Sequence, residues 1–508
     1  MKFIDKKLAV VAFVTFFFLL TTGYFYTKNT FSLHFVDEEY NFAIGKYLLK
    51  DEVLYKDIIT NHQPITHIAS SFVQNYSKPN SIFLLVSRHR TAIAVWSLIW
   101  SLFFVLFFGV SALLFVFCYE LTKSYLFGNL FLAETIVVYP FLFLIGLIIY
   151  RKKLSHPLLL TFSGICISLC LFLLGPIWPA VAFITLLLLY RQKNYLIKTL
   201  AFMFLGALII ILALWKYVSF SGYLYWYLYT NFIYTVPNYH GNEHWVLTIL
   251  KSFMSPLISF ITFDNTPMLW LIRIFSLLLI INLVIIRRFR LVLIVITVLG
   301  LSNIRFVPPG SGHYSGFHML PWFAALVFIT SVLSLQQFKP NVPAVFKLTN
   351  VLLIIFAVVF SLNYTKPVLL ERRDSQKDYL INYSTYTDRG EIVRIIKDPT
   401  DTLFVSRDSW LIYWQSDTNH LPSLFGYYAW MSGVPKLHAA VLEKFSKEPP
   451  TFFYCDDCKG LDLEQFLPRY TNIKKNKVST DLYVISDKIK GLSKSQKEQL
   501  KFYSVAFD

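Results

Sequence analysis

KKLAVVAFVTFFFLLTTGYFYTKNTFSLHFVDEEY, Lys6–Tyr40, is the stretch on which the fold class turns. Lysines at 2, 6 and 7 precede an apolar run from Leu8 to Tyr26, and three consecutive acids, Asp37, Glu38 and Glu39, follow it. A run of that length crosses the hydrocarbon core as a helix. The basic flank keeps its start on the cytoplasmic side. No small-x-small cleavage pattern follows, so the segment reads as an uncleaved first transmembrane helix.

The whole chain has the same character. Of its 508 residues 56% are hydrophobic, 18% aromatic and only 15% charged, and the mean hydropathy is +0.53. A soluble protein carries about a quarter charged residues. Forty-nine Phe and thirty-one Tyr are too many for an aqueous surface, and disordered, collagenous and disulfide-stapled classes are excluded. The balance of +17 does not indicate nucleic acid, because the basic residues punctuate apolar runs and so orient them in a membrane. The expected class is mostly α, a polytopic helical membrane domain.

Spanning or near-spanning apolar segments recur to about Tyr364, and then the composition shifts. Only eleven of the thirty acids precede residue 366. The expected division is a membrane domain over 1–365 and a small extracytoplasmic α/β domain over 366–508. The basic clusters Arg151–Lys153, Arg191–Lys193 and Arg287–Arg290 belong on the cytoplasmic face. They fit eleven helices near 8–26, 91–108, 109–124, 131–150, 157–174, 176–190, 197–218, 267–286, 290–305, 317–336 and 345–364. The segment Trp245–Phe263 then lies along the outer interface. The protein is expected in the cell membrane, N-terminus inside and C-terminal domain outside, with long outer loops over 27–90 and 220–267.

In the tail, TLFVSR, TFFYC and DLYVIS have strand patterns, while HAAVLEKFSK and SKSQKEQLKFY have helical spacing. Cys118, Cys166 and Cys170 lie in apolar runs as small core residues. Cys455 and Cys458 form a single C-x-x-C without the second pair a zinc ribbon needs. A local disulfide or two free thiols are the readings for it.

Six of the eleven early acids crowd into Asp37–Asp57, in VDEEYNFAIGKYLLKDEVLYKDIITNHQP. A carboxylate at the membrane surface can deprotonate a hydroxyl or hold a divalent cation against a phosphate. The plainer reading is a solvated acidic loop capping an amphipathic helix. The pattern resembles the first outer loop of the C-type (GT-C) membrane glycosyltransferases, in the branch related to protein O-mannosyltransferases and aminoarabinose transferases. Asp37, Glu38 and Tyr40 match its opening, Tyr55 and Asp57 its middle, and His62 and Pro64 its closing turn. Gln63 and Ile65 depart from the Lys-Pro-Pro usual there. A second patch, Asn303–Ile329, with Arg305, His313, Tyr314 and His318, resembles the family's late segment.

The resemblance implies a transferase that moves a sugar from a polyprenyl-phosphate-linked donor to a hydroxyl acceptor at the outer membrane face. Asp37 and Glu38 would be catalytic, and Arg305, His313, Tyr314, His62, Tyr40 and Asp57 would bind donor phosphate or substrate. A divalent metal ion is a candidate cofactor, with Asp37, Glu38 and His62 as its ligands. Partners would be the lipid-linked sugar, membrane lipids and an acceptor protein, lipid or glycan, with no nucleic acid. The alternatives are a lipid-linked glycan flippase or carrier, and a scaffold without activity. A carrier needs ionisable groups along a central path, and the expected spans hold almost none besides Glu134.

Three further features have two readings each. Arg305 can meet a lipid phosphate or snorkel to headgroups. Arg88, His89 and Arg90 mark a headgroup boundary or touch phosphate. The aromatic loop Phe220–Trp245 is an interfacial belt or a groove for an isoprenoid or sugar. Trp410 and Trp414, in SWLIYWQS, read as packing residues.

Overall fold

The structure is a computed structural model. It describes residues 6–32, 37–150, 156–235, 245–262, 266–286, 288–308, 316–336, 343–370, 374–406, 409–421 and 432–507. The chain divides into two compact units, neither continuous in sequence. One comprises 1–30, 89–213 and 243–373, and the other 31–88, 214–242 and 374–508. The units therefore cross the boundary expected at 365/366, since the tail shares its unit with parts of both long outer loops.

The first unit is helical. Its helices begin with α1, Lys6–Lys28; in the second unit follow α2, Glu38–Leu48, and α3, Pro64–Ser77. Then come α4, Ile82–Phe108, α5, Leu113–Thr122, α6, Ala133–Ile149, α7, Pro157–Leu173, α8, Trp178–Arg191, and α9, Leu196–Trp215. The helices Pro267–Ile286, Phe289–Ser302, Leu320–Gln336 and Ala344–Leu370 complete the long series. Each of the eleven expected segments contains a helix. Among the described residues, however, only six helices are long and apolar enough to cross a membrane unaided. The chain is a multi-pass membrane protein, but a count of eleven full spans does not follow. At ten residues, α5 is about 15 Å long, half the hydrocarbon thickness. Turns at Val110–Ala112 and Lys123–Leu126 cut it at both ends.

Burial sorts these helices. Leu320–Gln336 and α6 are almost wholly buried and form the centre, whereas α9 and Ala344–Leu370 present mostly exposed apolar faces. Trp245–Phe253 and Ser255–Ile261 are two short helices. Small residues allow the closest approach: a Cβ added at Gly206 of α9 would lie 2.0 Å from the Thr161 carbonyl of α7.

One buried ion pair escapes the sequence reading. Lys123 Nζ lies 2.5 Å from Glu120 Oε2, with both side chains almost fully buried. Tyr139 and Ser101 donate to Glu120 Oε1 at 2.7 and 3.0 Å, and Lys123 donates to Ser97 Oγ at 2.6 Å. The helical unit thus holds ionisable groups beyond Glu134, though these two neutralise each other and have bonded neighbours.

In the second unit the tail folds as α/β around one mixed sheet, in the strand order β2-β1-β3-β5-β4-β6. The strands are β1 Thr402–Val405, β2 Asn419–His420, β3 Phe452–Tyr454, β4 Tyr470–Lys475, β5 Val478–Ile485 and β6 Val505–Phe507. Parallel pairing joins β1 to β2 and β3, and antiparallel pairing joins the rest. TLFV, TFFYC and DLYVIS supply strands as expected. SWLIYWQS forms the short helix Leu411–Ser416, and a 22-residue helix, Ser375–Ile396, opens the domain. Phe404, Phe445, Phe453 and Leu461 centre its core, and Cys455 and Cys458, which are bonded to each other, belong to it.

Candidate active site

The first half of the acid-rich segment does not form a solvated loop. It folds into α2 with Asp37 at the N-cap position, and Glu38 and Glu39 in the first turn suit the positive end of the helix dipole. Glu38 and Glu39 are 0% and 4% exposed, so the two are packed inward. Asp37 is only half-buried. Its φ of 49° and ψ of −4° place it in the left-handed region, which Asp and Asn tolerate better than most residues. Its carbonyl accepts from Asn41 Nδ2 at 3.1 Å. Of the three acids, Asp37 is the one the fold leaves accessible.

The closing turn converges on Tyr40. The Tyr40 ring lies 5.2 Å from His62, 5.7 Å from His67 and 4.9 Å from Trp410. Tyr55 donates from its hydroxyl to the His62 carbonyl at 2.6 Å. Tyr223 donates to Gln63 Oε1 at 3.1 Å, and Asn231 Nδ2 to the Asn61 carbonyl at 3.0 Å. The aromatic loop therefore buttresses this turn. Pro64 at the first position of α3 starts that helix without needing an N–H partner. Gly45 of α2 sits against Ser70 of α3, where an added Cβ would be 2.6 Å from Ser70 Oγ, so the two helices pack closely.

Burial sets the electrostatics. It pushes the Tyr40 phenol up and the His67 imidazole well down, His62 adding to the latter. His67 is therefore a neutral, fully buried ring beside Tyr40, and neither of its nitrogens has a hydrogen-bond partner among the described residues. Asp57 accepts from Val53 N–H at 2.9 Å, which ties one of its oxygens to its own turn.

The C-terminal end of α2 is tied to the tail by groups far away in sequence. Lys46 and Lys50 reach Asp417 at 2.9 and 3.0 Å. Tyr47 donates to the Thr418 carbonyl, and Glu52 meets His420 Nε2 at 2.6 Å. Trp414 Nε1 donates to Gln74 Oε1 of α3 at 2.8 Å. Burial works to raise the Asp417 carboxyl, but the two lysines outweigh it and bring it down to about 2.

Among the described residues no group of three or more His, Cys, Asp or Glu is placed to hold a metal ion. Asp37, Glu38 and His62 are thus not gathered as a ligand set among the described residues. Arg305 is exposed beyond the end of the helix Phe289–Ser302, which stops three residues earlier than expected. His313 and Tyr314 lie outside the described residues. His318 Nδ1 pairs with Glu134 Oε1 at 2.9 Å. His89 and Arg90 do not mark a headgroup boundary. Both are buried, His89 against Phe131 at 4.8 Å and Arg90 donating to the Thr30 carbonyl. Arg88 alone of the three is exposed.

Sequence reasoning missed His67, Lys46 and Gln74. His67 had a weak signal, a second histidine five residues after His62. Lys46 and Gln74 had none, since their partners are more than three hundred residues away.

No family model and no curated protein matches the chain. Two solved structures are similar to it over 94% of its length, both of ArnT from Cupriavidus metallidurans. One is the apo state, at 9% identity over 96% of that chain, and the other is bound to undecaprenyl phosphate, at 11% identity over 97%. The TM-score is 0.49 for each. ArnT is an aminoarabinose transferase of the C-type membrane glycosyltransferases.

Proposed function

We propose that the chain is a membrane glycosyltransferase that takes a sugar from a polyprenyl-phosphate-linked donor and gives it to a hydroxyl acceptor. One observation carries the reading: Asp37 is half-buried at the head of α2, on a left-handed backbone, while the next two acids are packed inward. A fold that used this segment only to cap a helix would have no need to sort its carboxylates in this way. The sorted carboxylate is also the one that matches the leading acid of the glycosyltransferase motif.

The roles follow from chemistry, residue by residue. Asp37 accepts the proton of the acceptor hydroxyl as that oxygen bonds to the anomeric carbon. The bond from that carbon to the phosphate oxygen breaks, leaving polyprenyl phosphate with the electron pair. Arg305, with His313 and Tyr314 of the same patch, suits the phosphate, because a guanidinium presents paired donors to its oxygens. Tyr40 and His62, whose rings lie 5.2 Å apart, are assigned to substrate binding.

The test incubates purified full-length protein in lipid nanodiscs with a panel of polyprenyl-phosphate sugars. The expected result is consumption of one donor, with release of polyprenyl phosphate. Movement of an intact donor across vesicle membranes without consumption would establish the carrier instead.

A further inference from the structure

The α/β tail carries a face that its own fold leaves uncovered. The helix Ser375–Ile396 sets Lys377, Ile381, Ser384 and Asp388 on one stripe, at spacings of three and four residues. Ile381 on that stripe and Leu380 beside it are both exposed. Two turns further along, Asp388 pairs with Lys475 at the end of β4. The next two residues, Asn476 and Lys477, carry the chain into β5 on a left-handed backbone, and Val478 behind them is exposed. Asn476 N–H donates to the Ser504 carbonyl at 3.0 Å, which brings this turn beside the end of the helix Lys494–Phe502. There Phe502 is 84% exposed.

The charges around these apolar side chains are sorted as well. In the helix Lys494–Phe502, Leu500 is buried and Gln496 Nε2 donates to the Ile395 carbonyl at 2.9 Å, so that side faces the helix Ser375–Ile396. Lys494, Lys497 and Lys501 take the solvent side, at spacings of three and four, with Glu498 as the one acid of that helix. Lys477 is exposed on the turn. None of these four lysines has an ion-pair partner among the described residues, whereas Lys475, Lys488 and Lys490 nearby are each paired with an aspartate. The acids at the start of Ser375–Ile396 have a local use. Asp374 caps that helix by accepting from Gln376 and Lys377 N–H, and Asp378 lies in its first turn.

These facts restrict the partner. Single exposed apolar side chains are ordinary, but here they stand among cations that the fold leaves unpaired. A lipid headgroup layer matches both features, with anionic phosphate at its surface and hydrocarbon just beneath. A soluble polyanion would match the lysines and offer Phe502 nothing. The chain itself supplies the bilayer. The helix Ala344–Leu370 contains a candidate span, Ala344–Asn363, and only residues 371–374 separate that helix from Ser375. So short a tether keeps a membrane surface at high effective concentration.

We propose that the face bearing Ile381, Val478 and Phe502, ringed by Lys477, Lys497 and Lys501, lies on the headgroup layer of a bilayer that contains anionic phospholipid. The apolar tips enter the interface and the lysines meet lipid phosphates, so the α/β domain is held on the membrane and does not swing on its tether. This contact does not rest on the sugar-transfer reading.

The experiment uses the full chain, one copy per nanodisc, with an NBD dye on Gln499→Cys and a spin-labelled quencher lipid in the bilayer. Nanodiscs of phosphatidylcholine alone are compared with nanodiscs that also contain phosphatidylglycerol. Quenching is expected to be severalfold stronger with phosphatidylglycerol, and about 0.5 M salt should remove most of the gain. Combining Lys477→Gln, Lys497→Gln and Lys501→Gln should abolish the dependence on phosphatidylglycerol, each lysine being worth about fivefold in partitioning to an anionic surface. Ile381→Ser with Phe502→Ser should lower quenching in both lipids, with the thermal midpoint unchanged because the side chains are exposed. Equal quenching in the two lipids, or quenching that neither set of substitutions alters, overturns the inference. So does a dye that stays unquenched in single-copy nanodiscs; shielding that appears only when two copies share a nanodisc would assign the face to a second copy, and shielding by added acidic polysaccharide without lipid quenching would assign it to a soluble polyanion. Donor-sugar consumption is measured separately and stands or falls on its own.

Discussion

Asp37 and Glu39 are two positions apart, the first half-buried and the second packed inward. Asp37→Asn removes a base and a charge while retaining a side chain that tolerates the left-handed backbone. Turnover should fall by roughly 10²-fold or more, the scale of general-base catalysis, with thermal stability near wild type. Glu39 is buried, so its substitution bears on packing. Glu39→Gln should lower the thermal midpoint, and thermal scans of both variants beside their turnover separate the two roles. Full activity in Asp37→Asn would remove the main support for the transferase. Lys123 gives a second residue-scale prediction. Lys123→Met strands the Glu120 carboxylate in the interior, a loss of about 3–5 kcal/mol by analogy with other broken buried pairs. Adding Glu120→Gln should restore most of it, since the amide oxygen still accepts from Tyr139 and Ser101. A double variant as unstable as the single one would show that the pair's charge is not what matters.

At the level of elements, α7 and α9 approach backbone to backbone at Gly206. Alanine is the better helix former by about 1 kcal/mol, so propensity alone predicts that Gly206→Ala stabilises. The 2.0 Å contact to the Thr161 carbonyl predicts the reverse, because backbone cannot yield as a flexible side chain can. Thermal unfolding in detergent should show a clear loss. The tie between α2 and the tail makes a pH prediction. Asp417 is pulled below its ordinary value by Lys46 and Lys50, after overcoming burial. A carboxyl lower in the folded than in the unfolded state contributes stability above its unfolded value, near 4. That contribution disappears as pH falls toward about 2. Asp417→Asn should therefore narrow its stability deficit to wild type as pH drops from 5 to 2, and a deficit constant over that range would deny the ion pairs their role. Helix starts and stops were legible at this scale where sequence carries them, as at Pro64 and Pro157. The ends of α5 were not, because turns set by tertiary packing cut an apolar run that reads as continuous.

For the whole molecule, the basic turns predict a cytoplasmic N-terminus and an extracytoplasmic tail. A reporter active only in the cytoplasm, fused after Asp508, should be silent, and activity there would mean an even number of crossings. By itself the sequence determined that this is a multi-pass membrane protein with a small α/β tail, and it located the acid-rich segment that carries Asp37. Those features reside in hydropathy, charge placement and local spacing, which one chain displays without its fold. Which acid of VDEEY stays accessible was decided only by the packing of α2. The same holds for the units, in which Lys46 meets Asp417 and Glu52 meets His420 across more than three hundred residues. It holds for the pairing of Glu134 with His318 as well. Burial and long-range pairing are properties of the folded chain, because hydropathy and charge patterns record what each residue prefers and not which distant residue will stand beside it.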